Sequence, residues 1–207
     1  MSVYRLKPAF QRLLAPCVHG LARRSVTPNQ ITVATLLITV AGVGAIALLP
    51  PPYWLGLPLL QFLRMALNAI DGQLARLYNQ ITPRGMLLNE VGDLLADAVV
   101  WLAFLSLGVL SPFWIAVVAL LTWLTEFIAV LVAPVTGERA NHGPMGKSDR
   151  AVVTGVFAII IAVQPNWLVY GDVALILVAG LLLVTASRRA MKVWSLVPEQ
   201  KDENNGE

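Results

Sequence analysis

The sequence predicts an all-α integral membrane protein, with six transmembrane helices preceded by an N-terminal interfacial amphipathic helix. Three observations lead there. Of 207 residues, 57% are hydrophobic and 13% charged, with a mean hydropathy of +0.70, more apolar side chain than a soluble domain of this length needs for its core. The apolar residues fall into blocks of about 20, the length at which a helix rising about 1.5 Å per residue crosses a hydrocarbon layer about 30 Å thick. Lys and Arg gather in alternate connections, the asymmetry that sets orientation in a bilayer.

Residues 3–22 place Val3, Leu6, Phe10, Leu13, Leu14 and Val18 at helical spacing among basic residues, the pattern of a helix lying in the headgroup plane. Thr27, Pro28 and Asn29 then signal a helix start, with Thr27 as N-cap and Pro28 at the first helical position. The first span, 31–49, stops at Pro50, Pro51 and Pro52, which lack the N–H a helix requires. The remaining spans are expected near 53–70, 86–110, 113–135, 151–170 and 173–186. Very short connections after the first, third and fifth predict antiparallel hairpins. Without internal repeats, residues 1–197 form one domain, and the polar, aperiodic stretch 198–207 is expected to be a disordered cytoplasmic tail.

Arg5, Lys7, Arg12, Arg23 and Arg24 precede the first span. Arg76 and Arg84 separate the second and third, and Arg139, Lys147 and Arg150 the fourth and fifth. Arg188, Arg189, Lys192 and Lys201 follow the sixth, and the other connections carry no Lys or Arg. Both termini are therefore expected on the cytoplasmic face, of a bacterial inner membrane, and the net charge of +3 reflects topology and anionic headgroups rather than nucleic acid. Cys17, the single cysteine, excludes an internal disulfide and suits a reducing face. No apolar core with a small-residue cleavage site follows Arg5 and Lys7, so the first span is expected to direct insertion.

Ionisable groups inside apolar helices cost several kcal/mol each and point to function. Asn68 and Asp71 lie three residues apart at the end of the second span, and Asn89, Asp93 and Asp97 at successive fourth positions entering the third. Each set lines one helix face, and two such faces together make an oxygen-lined pocket. Crowded carboxylates take up protons or hold a cation, and hard oxygen ligands suit Mg²⁺, Mn²⁺ or Ca²⁺. Such a cation beside a membrane favours phosphate chemistry. A proton- or cation-coupled transporter would instead place its acids near the bilayer midplane on broken helices.

The run Asp71-Gly72-Gln73-Leu74-Ala75-Arg76, followed by Gly85, Asn89 and Asp93, resembles the signature of the CDP-alcohol phosphatidyltransferase family over residues 68–93. The resemblance implies that an alcohol, either plain or already phosphorylated as in glycerol phosphate, attacks CDP-diacylglycerol and releases CMP. It also implies four Asp positions holding two divalent cations, Mg²⁺ or Mn²⁺, with Asp93 also the general base, and a homodimer. Gly72 and Ala75 would let a cytidine ring approach, and Arg76 would meet its phosphate. Asn29 and Thr32 match the family's Pro-Asn-x-x-Thr start of span one, near the nucleotide, and Gly85 belongs to the same signature.

Two of the four Asp positions, 68 and 89, carry Asn here. An amide oxygen still ligates a cation but brings no charge and cannot act as a base. Asp97 and Glu90 could restore charge. Three readings stay open: an active variant with altered metal use, a transferase with a different donor or acceptor, and a lipid-binding relative without catalysis.

Gly146-Lys147-Ser148 is not a P-loop, since Asn141 stands where that motif needs glycine and no strand precedes it. It reads as a flexible basic segment, and similar Gly-Lys segments of the family lie near the acceptor pocket. Arg139, Lys147 and Arg150 would then favour a phosphorylated acceptor. His142 is expected in the same loop. Glu126, mid-span with Thr122 and Thr125 close by, should not face lipid. Arg64, two turns before Asp71, is expected either to balance that carboxylate or to snorkel.

Overall fold

The computed structural model describes residues 7–131 and 143–196, which fold into seven α-helices and no strand. They are α1 (Lys7–Arg23), α2 (Pro28–Ala47), α3 (Gly56–Leu77), α4 (Pro83–Ala103), α5 (Pro112–Leu131), α6 (Lys147–Val163) and α7 (Gly171–Leu196). Short 3-10 turns at Pro51–Leu55, Phe104–Leu107 and Pro165–Tyr170 join α2 to α3, extend α4 and lead into α7. Arg139, His142, residues 132–135 of the expected fourth span and the tail 198–207 lie outside the described residues.

Local sequence explains the helix starts. The Thr27 side chain accepts the Gln30 N–H at 3.3 Å while Gln30 Oε1 accepts the Thr27 N–H at 2.9 Å, a reciprocal cap with Pro28 at the first turn. Thr82 accepts the Gly85 N–H at 3.0 Å ahead of Pro83. The expected boundaries shift in two informative places. Helix α3 continues seven residues past the expected end at Ile70, carrying the whole Asp71–Arg76 run on helix. Gly146-Lys147-Ser148 is not a loose loop: Lys147 opens α6, and the Gly146 N–H donates to Asp149 Oδ2 at 2.9 Å.

Helices α2, α5 and the stretch Pro165–Ser195 are long and apolar enough to cross a membrane. Leu37, Leu59, Leu120, Phe127 and Leu177 point outward, as lipid-facing side chains do, and the chain is a membrane protein. Helix α2 packs on α3 and α4, and α4 on α5, as short connections require. The third expected hairpin does not form. Helix α6 closely approaches α3 and the 51–55 turn, whereas α7 runs along α5, with the 165–170 turn between the two helices in the chain. A Cβ at Gly171 would meet the end of the Leu110 side chain, which would have to turn aside.

Helix α1 lays Phe10, Leu14, Val18 and Leu21 toward the bundle, with Phe10 edge-on to Phe62 of α3 at 5.9 Å and Val18 buried beside Ile31, Ile70 and Leu74. The main core lies toward the other end of α3, around Trp54, Leu57, Trp101, Phe104, Ile115 and Leu182. Phe104 is its hub, 5.1 Å from Trp54 and 5.9 Å from both Trp101 and Phe157. Leu57 and Asp71 are 14 residues apart on one helix, or about 21 Å. Rigid aromatic packing thus sits well away from the polar cluster.

Phe104→Ala should cost about 3–5 kcal/mol through loss of buried ring and the cavity left behind. The drop in thermal midpoint of the detergent-solubilised protein measures it.

Candidate functional site

Three helix ends converge on a cleft of about 290 Å³. The first turns of α2 contribute Pro28, Asn29 and Thr32, the last turns of α3 contribute Asp71, Gly72, Ala75 and Arg76, and the start of α4 contributes Gly85, Asn89 and Glu90. Thr32 Oγ1 lies 3.0 Å from Asp71 Oδ2 and 3.1 Å from the Pro28 carbonyl, its single proton shared between two acceptors. Gly85 has a steric reason. A Cβ at that position would stand 2.7 Å from Asn29 Oδ1 and 3.0 Å from Thr82 Oγ1, so the hydrogen atom lets α4 close against α2. At Gly72 an added Cβ would meet only the Arg76 guanidinium, at an ordinary 3.5 Å.

Beside this cleft the polar side chains interlock. Asp93 Oδ1 accepts from Asn68 Nδ2 at 2.8 Å and from Arg64 Nη2 at 3.3 Å, and its Oδ2 is paired with Lys147 Nζ. Arg64 also donates to the Asp93 carbonyl at 3.0 Å and, through Nη1, to Asp97 Oδ1 at 2.6 Å. Asp97 Oδ2 accepts from Arg150 Nη2 at 2.7 Å and Nε at 3.1 Å. Arg150 Nη1 reaches Glu126 Oε1 at 2.9 Å, and Arg189 Nη1 reaches the same oxygen at 3.2 Å and the Thr125 carbonyl at 2.6 Å. The side chains of Arg64, Asp97, Arg150, Glu126 and Arg189 are at most 10% exposed. Charge-assisted bonds therefore link α3, α4, α6, α5 and α7 in the interior.

The seven residues expected to meet the nucleotide, Asn29, Thr32, Asp71, Gly72, Ala75, Arg76 and Gly85, all line the one cleft, together with Asn89. Three expectations need correction. Asp97 is not available as a metal ligand, because both its oxygens are taken by guanidinium groups. Arg150 does not face an acceptor; it is buried and divided among Asp97, Glu126 and the Met145 carbonyl. Arg64 neither snorkels nor pairs with Asp71, but holds Asp93 and Asp97. Sequence reading also missed the partners of Glu126, and the cleft wall formed by Gln80, Ile81, Thr82 and Met86. A mid-span acid signals that a cation must be near; which one, among several Arg, is set by helix rotation.

Among the described residues no three His, Cys, Asp or Glu side chains converge as a metal-binding group. Asp71 and Asn89 on the cleft wall fit one hard divalent cation, which ordinarily takes one or two protein oxygens and completes its shell with phosphate and water. Asp93 is poorly placed to take a second ion: its Oδ1 accepts from an amide N–H and a guanidinium, and its Oδ2, buried and without a hydrogen bond of its own, lies against the Lys147 ammonium.

Residues 25–195 match the sequence profile of CDP-alcohol phosphatidyltransferase, and the chain belongs to that family. It is 39% identical to the inner membrane protein YnbA of Escherichia coli over 200 residues, 96% of this chain and 100% of that one. It is 38% identical to an uncharacterized protein of Aquifex aeolicus over 109 residues, 51% of this chain and 50% of its own. In fold it resembles phosphatidylinositol phosphate synthase of Mycobacterium tuberculosis. The crystal structure of that enzyme with CDP-DAG bound gives a TM-score of 0.73 at 19% identity, over 89% of this chain and 94% of the other. Its complex with manganese and citrate gives 0.72 at 18%, over 87% and 88%.

Asp97→Ala or Glu126→Ala should each destabilise the protein by on the order of 3–5 kcal/mol, because two buried guanidinium groups each lose a carboxylate partner. Thermal unfolding should show the loss, and Asp97→Leu combined with Arg150→Met should recover much of it.

Proposed function

We propose that the protein transfers the phosphatidyl group of CDP-diacylglycerol to an alcohol at the cytoplasmic face of a bacterial inner membrane. The observation that carries this reading is the convergence of Asn29, Thr32, Asp71, Gly72, Ala75, Arg76, Gly85 and Asn89 on one cleft, in a chain of the CDP-alcohol phosphatidyltransferase family. The cleft takes the cytidine and diphosphate, with Gly72 and Ala75 keeping the wall low and Arg76 meeting a phosphate. A divalent cation, Mg²⁺ or Mn²⁺, held by Asp71 and Asn89, would neutralise phosphoryl oxygens when bound.

The acceptor hydroxyl attacks the lipid-bearing phosphorus: the new O–P bond forms, the P–O bond to CMP breaks, and Asp93 takes the hydroxyl proton. Asp93 Oδ2 is paired with Lys147, so that oxygen becomes a proton acceptor when the ammonium turns to the incoming phosphoryl oxygens. Lys147 and Arg139 favour an acceptor that already carries a phosphate. Helices α2 to α7 form the six spans, α1 rests at the interface, both termini lie inside and the working unit is a homodimer. The alternation of basic connections supports that orientation.

The Asn68 amide and the Lys147 ammonium on Asp93 favour a second reading, a CDP-lipid-binding protein without catalysis. Purified protein with CDP-diacylglycerol, Mg²⁺ or Mn²⁺ and a panel including glycerol phosphate, serine and inositol phosphate decides between them. The transferase should release CMP with at least one acceptor, and Asp93→Asn should lower the rate by about a hundredfold or more. Binding of the nucleotide lipid with no CMP from any acceptor would establish the second reading instead. Gly85→Ala, which displaces Asn29, should raise KM for CDP-diacylglycerol on the order of tenfold with a smaller change in kcat, read from initial rates.

A further inference from the structure

The departures from the family pattern at positions 68 and 89 have a structural counterpart. An Asp at position 68 would set a second carboxylate about where the Asn68 amide now meets Asp93, and two carboxylates so close require a proton or a cation between them. The amide N–H removes that requirement by donating to Asp93 Oδ1 itself. On the other side, the Lys147 ammonium pairs with Oδ2, and Arg64 completes the shell. The backbone of Lys147 belongs to a firmly seated element. It opens α6, whose first turn is capped through Gly146 and Asp149, and three residues on Arg150 is clamped to Asp97 and Glu126.

Charge next to this carboxylate points the same way. The Arg64 guanidinium and the Lys147 ammonium both touch Asp93, and the α6 N-terminus adds the positive end of a helix dipole, so a dication placed at Asp93 would meet like charges at close range. We propose that Lys147 is a built-in cation occupying the place of a second divalent ion, so that each chain binds a single divalent cation, on the Asp71 and Asn89 side. This rests on the transferase reading for the purpose of the site, while the ion count does not.

The test counts bound Mn²⁺ on the purified full-length protein by electron paramagnetic resonance of the free ion, with and without CDP-diacylglycerol. Wild type should bind no more than one Mn²⁺ per chain, and Lys147→Met combined with Asn68→Asp should bind one more, with affinity at least on the order of tenfold above any residual second site in wild type. Two ions on wild type, or no gain in a double variant that unfolds at a midpoint near wild type, would overturn the proposal. If the double variant does not fold, the wild-type count decides alone. CMP release in the same samples reports on the transferase reading separately: one ion bound with no CMP from any acceptor removes that reading and leaves the lysine assignment standing.

Discussion

The buried run of alternating charges from Arg64 through Asp97, Arg150 and Glu126 to Arg189 is the constraint on which the rest of the molecule depends. In a bilayer, lipid solvates apolar helix faces as well as other helices do, so packing alone sets helix rotation weakly. An unpaired charge in that setting is costly, and each carboxylate here can be satisfied only when two other helices present their guanidinium groups. Five helices are thereby fixed in rotation and height. Arg64 and Asp71 are seven residues apart on α3, so seating the first against Asp97 aims the second at the cleft.

The molecule divides its tasks along the helix axes. Trp54, Trp101 and Phe104 form a dry, close-packed cluster toward one end, while capped helix starts and Gly85 shape the cleft at the other. Between them, Thr35 bonds back to the Ile31 carbonyl and Thr39 to that of Thr35, so these two buried hydroxyls are satisfied within their own helix. Side-chain bonds such as Gln61 Nε2 to Thr154 Oγ1 at 2.9 Å and Trp123 Nε1 to the Leu94 carbonyl at 3.2 Å tie neighbouring helices between the two ends.

The amide at position 68 shapes the charge around Asp93. That carboxylate meets donors from the chain itself: Asn68, Arg64 and Lys147. Asp71 keeps a different environment, bonded to Thr32 and facing the cleft. The two acids that share one sequence signature therefore have separate surroundings, one opening on the cleft and the other enclosed by basic side chains.

The sequence by itself determined the helical class, the start of α2, and eight residues that line the cleft, though not the wall formed by Gln80, Ile81, Thr82 and Met86. Those are local matters: Thr27 and Gln30 cap the turn they belong to, triple proline ends whatever helix precedes it, and three- and four-residue spacing puts Asp71, Ala75, Gly85 and Asn89 on particular faces. The tertiary structure alone decided which cation answers which acid. Asp97 read as a metal ligand, Arg150 as an acceptor contact and α6 and α7 as a hairpin, and each outcome turned on how far one helix is rotated or displaced against another. Charge type and spacing along a chain do not encode that rotation, which is settled only when every buried ion must find its partner at once.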